Sequence, residues 1–359
     1  MRRHLAFFLM TIAAVALAAE AAAQAPKVAN ASFEQRAVSG GLQPYFEALA
    51  RGQSKPAWIG YGVPAVGSRR IGCGNGDWSG SNEGYNRTYL EGRPAAGAGT
   101  ADSPVKLEGD TTAFVLFRVE SQRAGKLAVF SPDCQLDAGG LPFIWLTGVI
   151  PSESVRLLSN LAHDKTAVDR VARAAVMAIA LHSDASADTA LEQLVAAEQP
   201  LPVRKQAAFW LGTTRGPRGY QILRAAIERD PSADFRKDAT FALSQSPAPA
   251  AIETLIAMAK SDADAGVRGQ ALFWLGQKAG KKAVGALTDA LENDPESQVR
   301  ERAVFALSQL PKDEGVPLLI QVARSSRDAR VRQRAMFWLG QSKDPRALAF
   351  FEEILKGRA

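Results

Sequence analysis

Apolar and polar residues repeat every 32 positions in the second half of the chain. A ten-residue phrase recurs as VRKQAAFWLG from Val203, FRKDATFALS from Phe235, VRGQALFWLG from Val267, VRERAVFALS from Val299 and VRQRAMFWLG from Val331, with a fainter copy, VARAAVMAIA, from Val171. The first, fifth and ninth places of the phrase are apolar, and at 100° per residue they fall within one arc of about 80°. The phrase is therefore predicted to form an amphipathic helix.

A second apolar run lies between successive phrases. It places a leucine on the same interval, at Leu191, Leu223, Leu255, Leu287 and Leu319, and it ends at turn signals such as Asp230-Pro231. Each unit is thus predicted to be helix, turn, helix. One helix pair cannot bury both of its apolar stripes, so the pairs must stack on their neighbours into a rod.

The phrase follows an acidic turn, opens on Val-Arg, continues with a small residue three positions later and ends on Leu-Gly. This pattern resembles the HEAT repeat, in the short form found in phycobilin lyase-like and other bacterial HEAT proteins, and it covers residues 151–359. The resemblance implies a mostly α fold: an α-solenoid of about six helix pairs, closed by a capping helix in DPRALAFFEEILKGRA. It says little about function, because such rods bind many unrelated partners.

An arginine column and an acidic column follow the repeat. In proteins that resemble this one the two bond between adjacent repeats, which implies a structural role for Arg204, Arg236, Arg268, Arg300 and Arg332 together with Asp230, Asp262 and Asp294. Glu198 holds the acidic place one unit earlier, and Ser326 interrupts the column one unit later. A basic groove that binds a ligand is the alternative interpretation of the arginines.

Residues 1–25 have a basic start, an apolar run over residues 5–18 and the small-residue pattern Ala23-Gln24-Ala25. These features predict a secretory signal peptide, because the run is shorter than the ~20 residues that a membrane span needs. No later stretch approaches that length. We therefore expect an exported protein, periplasmic or extracellular, with no membrane span in the mature chain.

The region between the leader and the repeats has a different composition. Residues 26–53 are polar and alanine-rich, and they predict a lead-in segment with one helix in LQPYFEALARG. Residues 54–150 contain runs such as AWIGYGVPAV and TAFVLFRVE, which are typical of strands and predict a small β-rich domain. The stretch 72–110 is too polar and glycine-rich to predict regular structure, and Ser152 is predicted to cap the first helix of the rod.

The chain has two cysteines, Cys73 and Cys134, and both lie in the β-rich region. In an oxidising compartment a lone pair predicts a disulfide. A pair of free thiols or a redox pair is the alternative, which the absence of a CxxC spacing disfavours.

Little in the sequence points to catalysis, a metal or a cofactor. After the leader the only histidines are His163 and His182, and neither forms an HExxH or HE pair. The metal centre of the HEAT-type deoxyhypusine hydroxylases, which this fold resembles, therefore has no counterpart. The motif GCGNGDWSGSN from Gly72 lacks both a phosphate-loop context and an EF-hand order, so it predicts a surface loop. Basic and acidic residues alternate in most repeats, so the net charge of +6 does not indicate nucleic-acid binding.

The seventh place of the phrase is phenylalanine in all five strong copies, and glutamine follows at the eleventh place in four. These are Phe209, Phe241, Phe273, Phe305 and Phe337, with Gln245, Gln277, Gln309 and Gln341. Either the rings pack between neighbouring helices, or they line the concave face and bind an extended peptide whose backbone pairs with the glutamine amides. The tryptophans Trp210, Trp274 and Trp338 alternate with Ala242 and Ala306 at the next place, and they are predicted to fill shared space between layers.

Three functional hypotheses follow. The first is an exported, non-catalytic scaffold that binds an unidentified peptide or protein on the concave face of the rod. The second is a lyase-like enzyme of the phycobilin lyase type, which only the resemblance supports. The third makes the β-rich domain the recognition unit and the rod a spacer.

Overall fold

The structure is a computed structural model, and it describes residues 25–66, 73, 87–92, 111–164 and 169–357. The predicted signal peptide, the glycine-rich motif from Gly74 onward and most of the stretch 72–110 lie outside the described residues. Export therefore stays a prediction. No helix within the described ranges is long and apolar enough to cross a membrane.

From residue 151 onward the described chain is an array of helix pairs. The helices are α2 (Pro151–His163), α3 (Asp169–Leu181), α4 (Ser186–Val195), α5 (Leu201–Thr214), α6 (Gly216–Arg229), α7 (Ala233–Gln245), α8 (Ala250–Ser261), α9 (Ala265–Lys278), α10 (Val284–Asn293), α11 (Ser297–Ser308), α12 (Lys312–Ser325), α13 (Ala329–Ser342) and α14 (Pro345–Leu355). A short 3-10 helix, Gly280–Ala283, precedes α10. Six pairs followed by one further helix confirm the predicted solenoid.

The phrase forms the second helix of each pair, and we call α3, α5, α7, α9, α11 and α13 the phrase helices. Their first, fifth and ninth places are buried throughout, except that Val203 is partly exposed. The leucine series of the intervening helices, from Leu191 to Leu319, is also buried. Successive phrase helices pack more closely than successive intervening helices. A two-layer rod curves toward its more closely packed layer, so the phrase helices form the concave side.

The arginine column joins each unit to the next. The Arg268 guanidinium donates to both carboxylate oxygens of Asp294, at 2.7 and 3.0 Å, and to the backbone carbonyl of Asp262 at 2.9 Å. Arg236 makes the same bonds to Asp262 and to the carbonyl of Asp230. Burial tends to raise the pKa of Asp262, but the hydrogen bond from Arg236 and the backbone bond from Asp264 outweigh it and hold the pKa below its usual value.

At the first and fourth joints the same arrangement recurs with small changes. Arg204 pairs with the buried Asp230. Ser326 carries no charge and cannot form an ion pair with Arg300. Arg300 instead donates to Asp328, two residues further along the chain, at 2.7 Å. That bond, with burial opposing it, lowers the pKa of Asp328 to about 2. Arg332 has no carboxylate partner among the described residues, and it donates only to the carbonyls of Ser326 and Arg327.

Contacts between phrase helices alternate with a period of two units. A Cβ placed on Gly212 would lie 2.3 Å from the carbonyl oxygen of Ala242, and one on Gly276 would lie 2.7 Å from that of Ala306. Glycine ends the phrase in the tryptophan-bearing copies, and the next copy carries alanine at the tryptophan place. The two small residues therefore meet at alternate joints and let the backbones approach closely. This contact explains the 64-residue alternation of WLG with ALS.

The β-rich region contains two sheets. Its described strands are β1 (Lys27–Ala29), β2 (Phe33–Ala37), β3 (Ala57–Pro64), β4 (Arg87–Tyr89), β5 (Thr112–Glu120), β6 (Arg123–Phe130), β7 (Gln135–Asp137) and β8 (Phe143–Thr147). The first sheet has the order β1-β7-β4, and the second has the order β2-β8-β3-β5-β6. Helix α1 (Leu42–Gly52) matches the helix predicted in LQPYFEALARG.

Three features of the β-rich region and its junction with the rod differ from the sequence predictions. The segment 26–53 is not only a lead-in, because β1 and β2 pair in parallel with β7 and β8. A short strand, β4, lies within the stretch predicted to be irregular. The first rod helix begins at Pro151 after Ile150, so the predicted Ser152 cap is wrong.

Alternate residues of the five-stranded sheet face two different apolar cores. Trp58, Phe114 and Trp145 pack toward the three-stranded sheet. Tyr61 and Phe117 belong to the core that continues through α1, α2 and α3 into the rod. The sheet is therefore docked on the first helix pair by one continuous core. The predicted disulfide joins Cys73 to Cys134 beside the other face.

The close contacts at glycine predict unequal effects of the same substitution. Gly212→Ala and Gly276→Ala each place a methyl group against a backbone oxygen of the next phrase helix. We expect each to lower the free energy of unfolding by about 1–3 kcal/mol, which is the usual cost of an overpacked core. Gly340 is the matched control, since it has open space around it. Gly340→Ala should stabilise by about 0.5–1 kcal/mol through helix propensity. Urea denaturation of the three variants, at a protein concentration at which the chain is monomeric, measures this, and equal effects would contradict the packing.

The arginine joints predict a second matched comparison. Arg268 and Arg332 donate to equivalent backbone carbonyls, but only Arg268 also binds a carboxylate. Arg268→Ala leaves the Asp294 carboxylate, whose side chain is 6% exposed, without its cation, and we expect a loss of about 3 kcal/mol. Arg332→Ala should cost less than about 1 kcal/mol. Thermal and urea unfolding give both values, and a similar cost for the two would show that the ion pair contributes nothing.

Candidate functional site

The phenylalanine row lies on the surface of the phrase helices. Phe241 is 37% exposed and Phe337 is 50% exposed, and Phe209, Phe273 and Phe305 are half-buried. The seventh place points away from the buried arc, as the helical wheel requires. The rings therefore pack against one another at the edge of the core, and each retains an accessible face or edge.

The rings form one unbroken series along the rod. Phe209 stacks on Phe241 at 5.9 Å between ring centroids, and Phe273 stacks on Phe305 at 5.8 Å. Trp274 joins the two stacks, at 4.9 Å from Phe241 and 4.8 Å from Phe273. The series begins at Trp210 and continues through Trp338 to Phe337. It covers five phrase helices, from α5 to α13.

The tryptophans have two environments. Trp210 is buried in the core, whereas Trp274 and Trp338 are partly exposed and pack against it. Ala242 and Ala306 occupy the tryptophan place in the intervening copies of the phrase. Because alanine is much smaller than tryptophan, the aromatic surface is recessed at these two units.

A cavity of about 300 Å³ lies in the recess at Ala242. Its walls are the rings of Phe209, Phe241 and Trp274, and polar side chains surround it: Lys205, Lys237, Asp238 and Gln270. These four polar residues occupy the variable third and fourth places of the phrase, and nothing in the sequence singled them out. Small ligand pockets are typically apolar with a few polar groups at the rim, and this cavity has that character.

The glutamine row follows one side of the rings. The Gln277 amide donates to the Gln309 amide oxygen at 2.9 Å, so two neighbouring units are linked directly. Gln245 and Gln309 each donate to the preceding serine hydroxyl at 3.0 Å. Gln277, Gln309 and Gln341 are exposed. An extended backbone laid beside the rings can therefore exchange hydrogen bonds with amide groups that already lie in a row.

Charged side chains follow the other side of the rings. Lys205 pairs with Asp238 at 2.6 Å, and Arg334 pairs with Glu301 at 3.0 Å. Lys237 and Arg302 form no ion pair with any described residue. The Arg302 side chain lies across Gly269 of the preceding phrase helix, α9. The face is thus mildly basic, with two cations not neutralised by a described neighbour.

A larger cavity, of about 710 Å³, lies between α10 and α12, away from the aromatic face. Its lining includes Leu291, Leu318 and Val322, with the ion-paired Arg300 and Asp328 at its edge. Arg300 and Asp328 neutralise each other there, and Glu292 and Arg327 also line the cavity. The smaller cavity is the better candidate, because its aromatic walls belong to a repeated surface.

His182 belongs to a buried hydrogen-bond chain at the junction between sheet and rod. Its Nδ1 lies 2.7 Å from the Ala178 carbonyl oxygen and must donate to it, so Nε2 accepts from the Ser154 hydroxyl at 2.8 Å. Ser154 in turn accepts from the Tyr61 hydroxyl at 2.8 Å. Backbone bonds from Val66 to Leu181 and from Ser183 to Pro64 flank this chain. Tyr61, Ser154 and His182 therefore tie strand β3 to helices α2 and α3.

This Ser-His pair is structural in its geometry. All three side chains are fully buried, and the histidine nitrogen that a triad carboxylate would bind is bonded to a carbonyl. Burial lowers the pKa of His182 to about 4, opposed by the Ala178 bond and by Asp184, while Arg215 adds to the lowering. His163, at the end of α2, bonds in the same way to the Ser159 carbonyl. The described residues contain no group of three or more potential metal ligands.

Comparison with known proteins identifies the repeats. The HEAT-repeat family matches residues 188–276, 252–335 and 284–358. The C-terminal part of the chain is therefore a HEAT-repeat array, preceded by a β-rich region with two sheets. No curated protein matches the chain significantly.

Several solved structures are similar at low identity. Human deoxyhypusine hydroxylase is 18% identical over 56% of this chain and 89% of its own, with a TM-score of 0.31. Escherichia coli YibA is 19% identical over 57% of this chain and 76% of its own, with a TM-score of 0.36. The phycocyanin lyase CpcE–CpcF complex of Nostoc sp. PCC7120 is 21% identical over 56% and 80%, with a TM-score of 0.28. Similarities at this level carry no information about activity or partner.

The buried histidine predicts a pH dependence of stability. The folded pKa of about 4 lies below the ordinary value of 6.5, so the unfolded state binds the proton more readily. Stability contributed by neutral His182 is full above pH 6.5 and is lost as the pH falls toward 4, by about 3 kcal/mol at 1.36 kcal/mol per pKa unit. Urea unfolding between pH 4 and 7 should show a shallower pH dependence for His182→Gln than for wild type. His163→Gln is the control and should keep the wild-type slope. A wild-type slope in His182→Gln would contradict the assignment.

Proposed function

We propose that this is an exported, non-catalytic binding protein whose phrase-helix face takes an extended segment of another protein. The observation that carries the proposal is the unbroken aromatic series, since contiguous apolar surface is uncommon on a monomer unless it is used for binding. The leader and the disulfide support export. HEAT repeats are consistent with protein binding in general.

An extended segment suits this surface better than a folded domain does. The rings, the glutamine amides and the charged side chains run as three parallel rows along the rod. A peptide strand presents its side chains on alternate sides and its backbone groups in between, so the rings receive side chains while the amides pair with the backbone. The recess at Ala242 takes one bulky apolar side chain against Phe209, Phe241 and Trp274.

The two-unit alternation predicts the spacing of the bound side chains. Ala306 repeats Ala242, and the rings of Phe273, Phe305 and Trp338 contact one another as their counterparts beside Ala242 do, so we infer a second recess at Ala306. Phrase helices packed ~9 Å apart place the two recesses about 18 Å from each other. At ~3.3 Å per residue this corresponds to about five or six residues of extended chain, and six is the separation that suits two recesses on one face. An even number keeps both side chains on the same side of the strand.

The charges refine the expected ligand. Lys237 lies at the rim of the Ala242 recess and Arg302 lies on the same helix as Ala306, and neither is neutralised by a described carboxylate. The proposed ligand is therefore an extended peptide with bulky apolar residues about six positions apart and acidic residues near them. Such a ligand should bind more weakly at high salt.

Selection from a random library of displayed 15-residue peptides tests the proposal. The wild-type protein should enrich sequences with two bulky apolar residues about six apart. Phe241→Ser removes a wall of the recess, and we expect affinity for a selected peptide to fall at least ten-fold, because a buried aromatic anchor contributes on the order of 2 kcal/mol. Fluorescence anisotropy with the labelled peptide measures the affinity.

Phe33→Ser is the matched control, because Phe33 is a comparably exposed phenylalanine on β2. It should bind the selected peptide as wild type does, and circular dichroism should show that both variants are folded. Failure to enrich any motif, or a selected peptide that binds Phe241→Ser as tightly as wild type, would overturn the proposal.

A further inference from the structure

The last helix leaves an apolar stripe open that the other units bury. Helix α14 takes the place of the intervening helix in a seventh unit, 32 residues after α12. Its Phe351 corresponds to the buried leucine series and its Leu355 corresponds to Ile227 and Leu291, which are at most 9% exposed. In α14, however, Phe351 is partly exposed, Leu355 is 86% exposed and Leu348 is 63% exposed. Helix α14, the predicted cap, therefore covers α12, but the outer apolar stripe of α14 stays exposed.

Helix α13 is open on the same side. Gly340 has nothing within 4 Å of a Cβ built on it, although Gly212 and Gly276 at the same place contact the next phrase helix. Phe337 and Met336 are exposed. No described helix lies at the place of a phrase helix beside α13 and α14, and two apolar surfaces face that place.

The charges around the place beside α13 and α14 indicate which kind of helix would bind there. Arg332 donates only to backbone carbonyls, whereas the corresponding arginines at the four preceding joints each have a carboxylate. Lys356 follows α14, so the nearby turn supplies a further cation rather than an acid. An amphipathic helix with a carboxylate beside its apolar stripe would bury the exposed rings and neutralise Arg332.

Helix α14 itself has this composition. Leu348, Phe351 and Leu355 lie on one face, and Glu352 follows Leu348 by one helical turn on the edge of that face. Glu352 is exposed, and its only described ion pair is with the neighbouring Lys356 at 3.4 Å, a contact of little energy.

We propose that two copies of this chain associate tail to tail, with α14 of each copy at the phrase-helix place beside α13 of the other. Such a contact is isologous, so one apolar stripe and one basic groove on each copy satisfy both halves of the interface. Glu352 of each copy then lies near Arg332 of the other. The contact continues the layering of the rod across the two copies, and it does not depend on the proposed peptide-binding function.

Sedimentation equilibrium of the full mature chain over a range of protein concentrations tests the proposal. Wild type should show a reversible monomer–dimer equilibrium. Leu348→Asp combined with Leu355→Asp places charges in the contact and should raise the dimer dissociation constant at least a hundred-fold. Phe33→Asp is the control, since Phe33 is an exposed apolar residue far from α14 in the chain, and it should leave the equilibrium unchanged.

A charge exchange tests the pairing itself. Arg332→Glu should weaken the dimer about ten-fold or more, because it places a second carboxylate beside that of Glu352, and adding Glu352→Arg should restore the dimer. Circular dichroism confirms that each variant is folded. A wild type that is monomeric at every concentration, or a dimer that persists in the Leu348→Asp, Leu355→Asp variant, overturns the proposal. Failure of the exchange to restore the dimer overturns the Arg332–Glu352 pairing.

Discussion

Close packing between successive phrase helices is the constraint on which the rest of the structure depends. Gly212 and Gly276 allow the backbones of two successive phrase helices to meet at Ala242 and Ala306. Successive phrase helices therefore pack more closely than successive intervening helices do. This close packing curves the rod and brings the seventh-place rings within stacking distance. The same contact requires alanine opposite glycine, and the missing tryptophan at that place leaves the recess. One steric requirement thus sets the shape, the aromatic series and the cavity.

The arginine joints have a different role from the apolar contacts. Hydrophobic stripes drive stacking but are similar from unit to unit, so on their own they specify the register weakly. Each Arg–Asp pair spans 26 or 28 residues, and Arg236, Arg268 and Arg300 also donate to a carbonyl of their own unit, which allows one angle and one register between neighbours. Where the acidic place holds Ser326, the chain keeps the joint by using Asp328 instead. Arg332 has no carboxylate partner among the described residues, and the first copy of the phrase holds Ala172 at the arginine place, so this joint is missing beside the first and the last phrase helices.

Much of the rod could be predicted from the sequence because its contacts are periodic. The buried arc of the phrase and the helix pairs follow from residue spacing alone. The β1 and β2 strands could not be found in this way, since their partners lie more than 100 residues away and FEQRA on the sheet edge has no apolar alternation. The chain from Tyr61 through Ser154 to His182 joins residues 93 and 28 positions apart, and no local pattern marks it. The exposure of the phenylalanine row was undecidable for a related reason: the helical wheel gives a direction, but the depth of a ring depends on the distance between neighbouring helices.

The claim that the phrase-helix face, rather than the β-rich region, contacts the ligand has a direct measurement. Protein labelled with 5-fluorotryptophan is titrated with a selected peptide and followed by ¹⁹F NMR, with signals assigned through single Trp→Phe variants. Trp274 and Trp338 lie in the aromatic series, whereas Trp58 and Trp145 are buried between the two sheets. The Trp274 and Trp338 signals should shift, and those of Trp58 and Trp145 should not. Shifts confined to Trp58 and Trp145 would contradict it and would place recognition in the β-rich region.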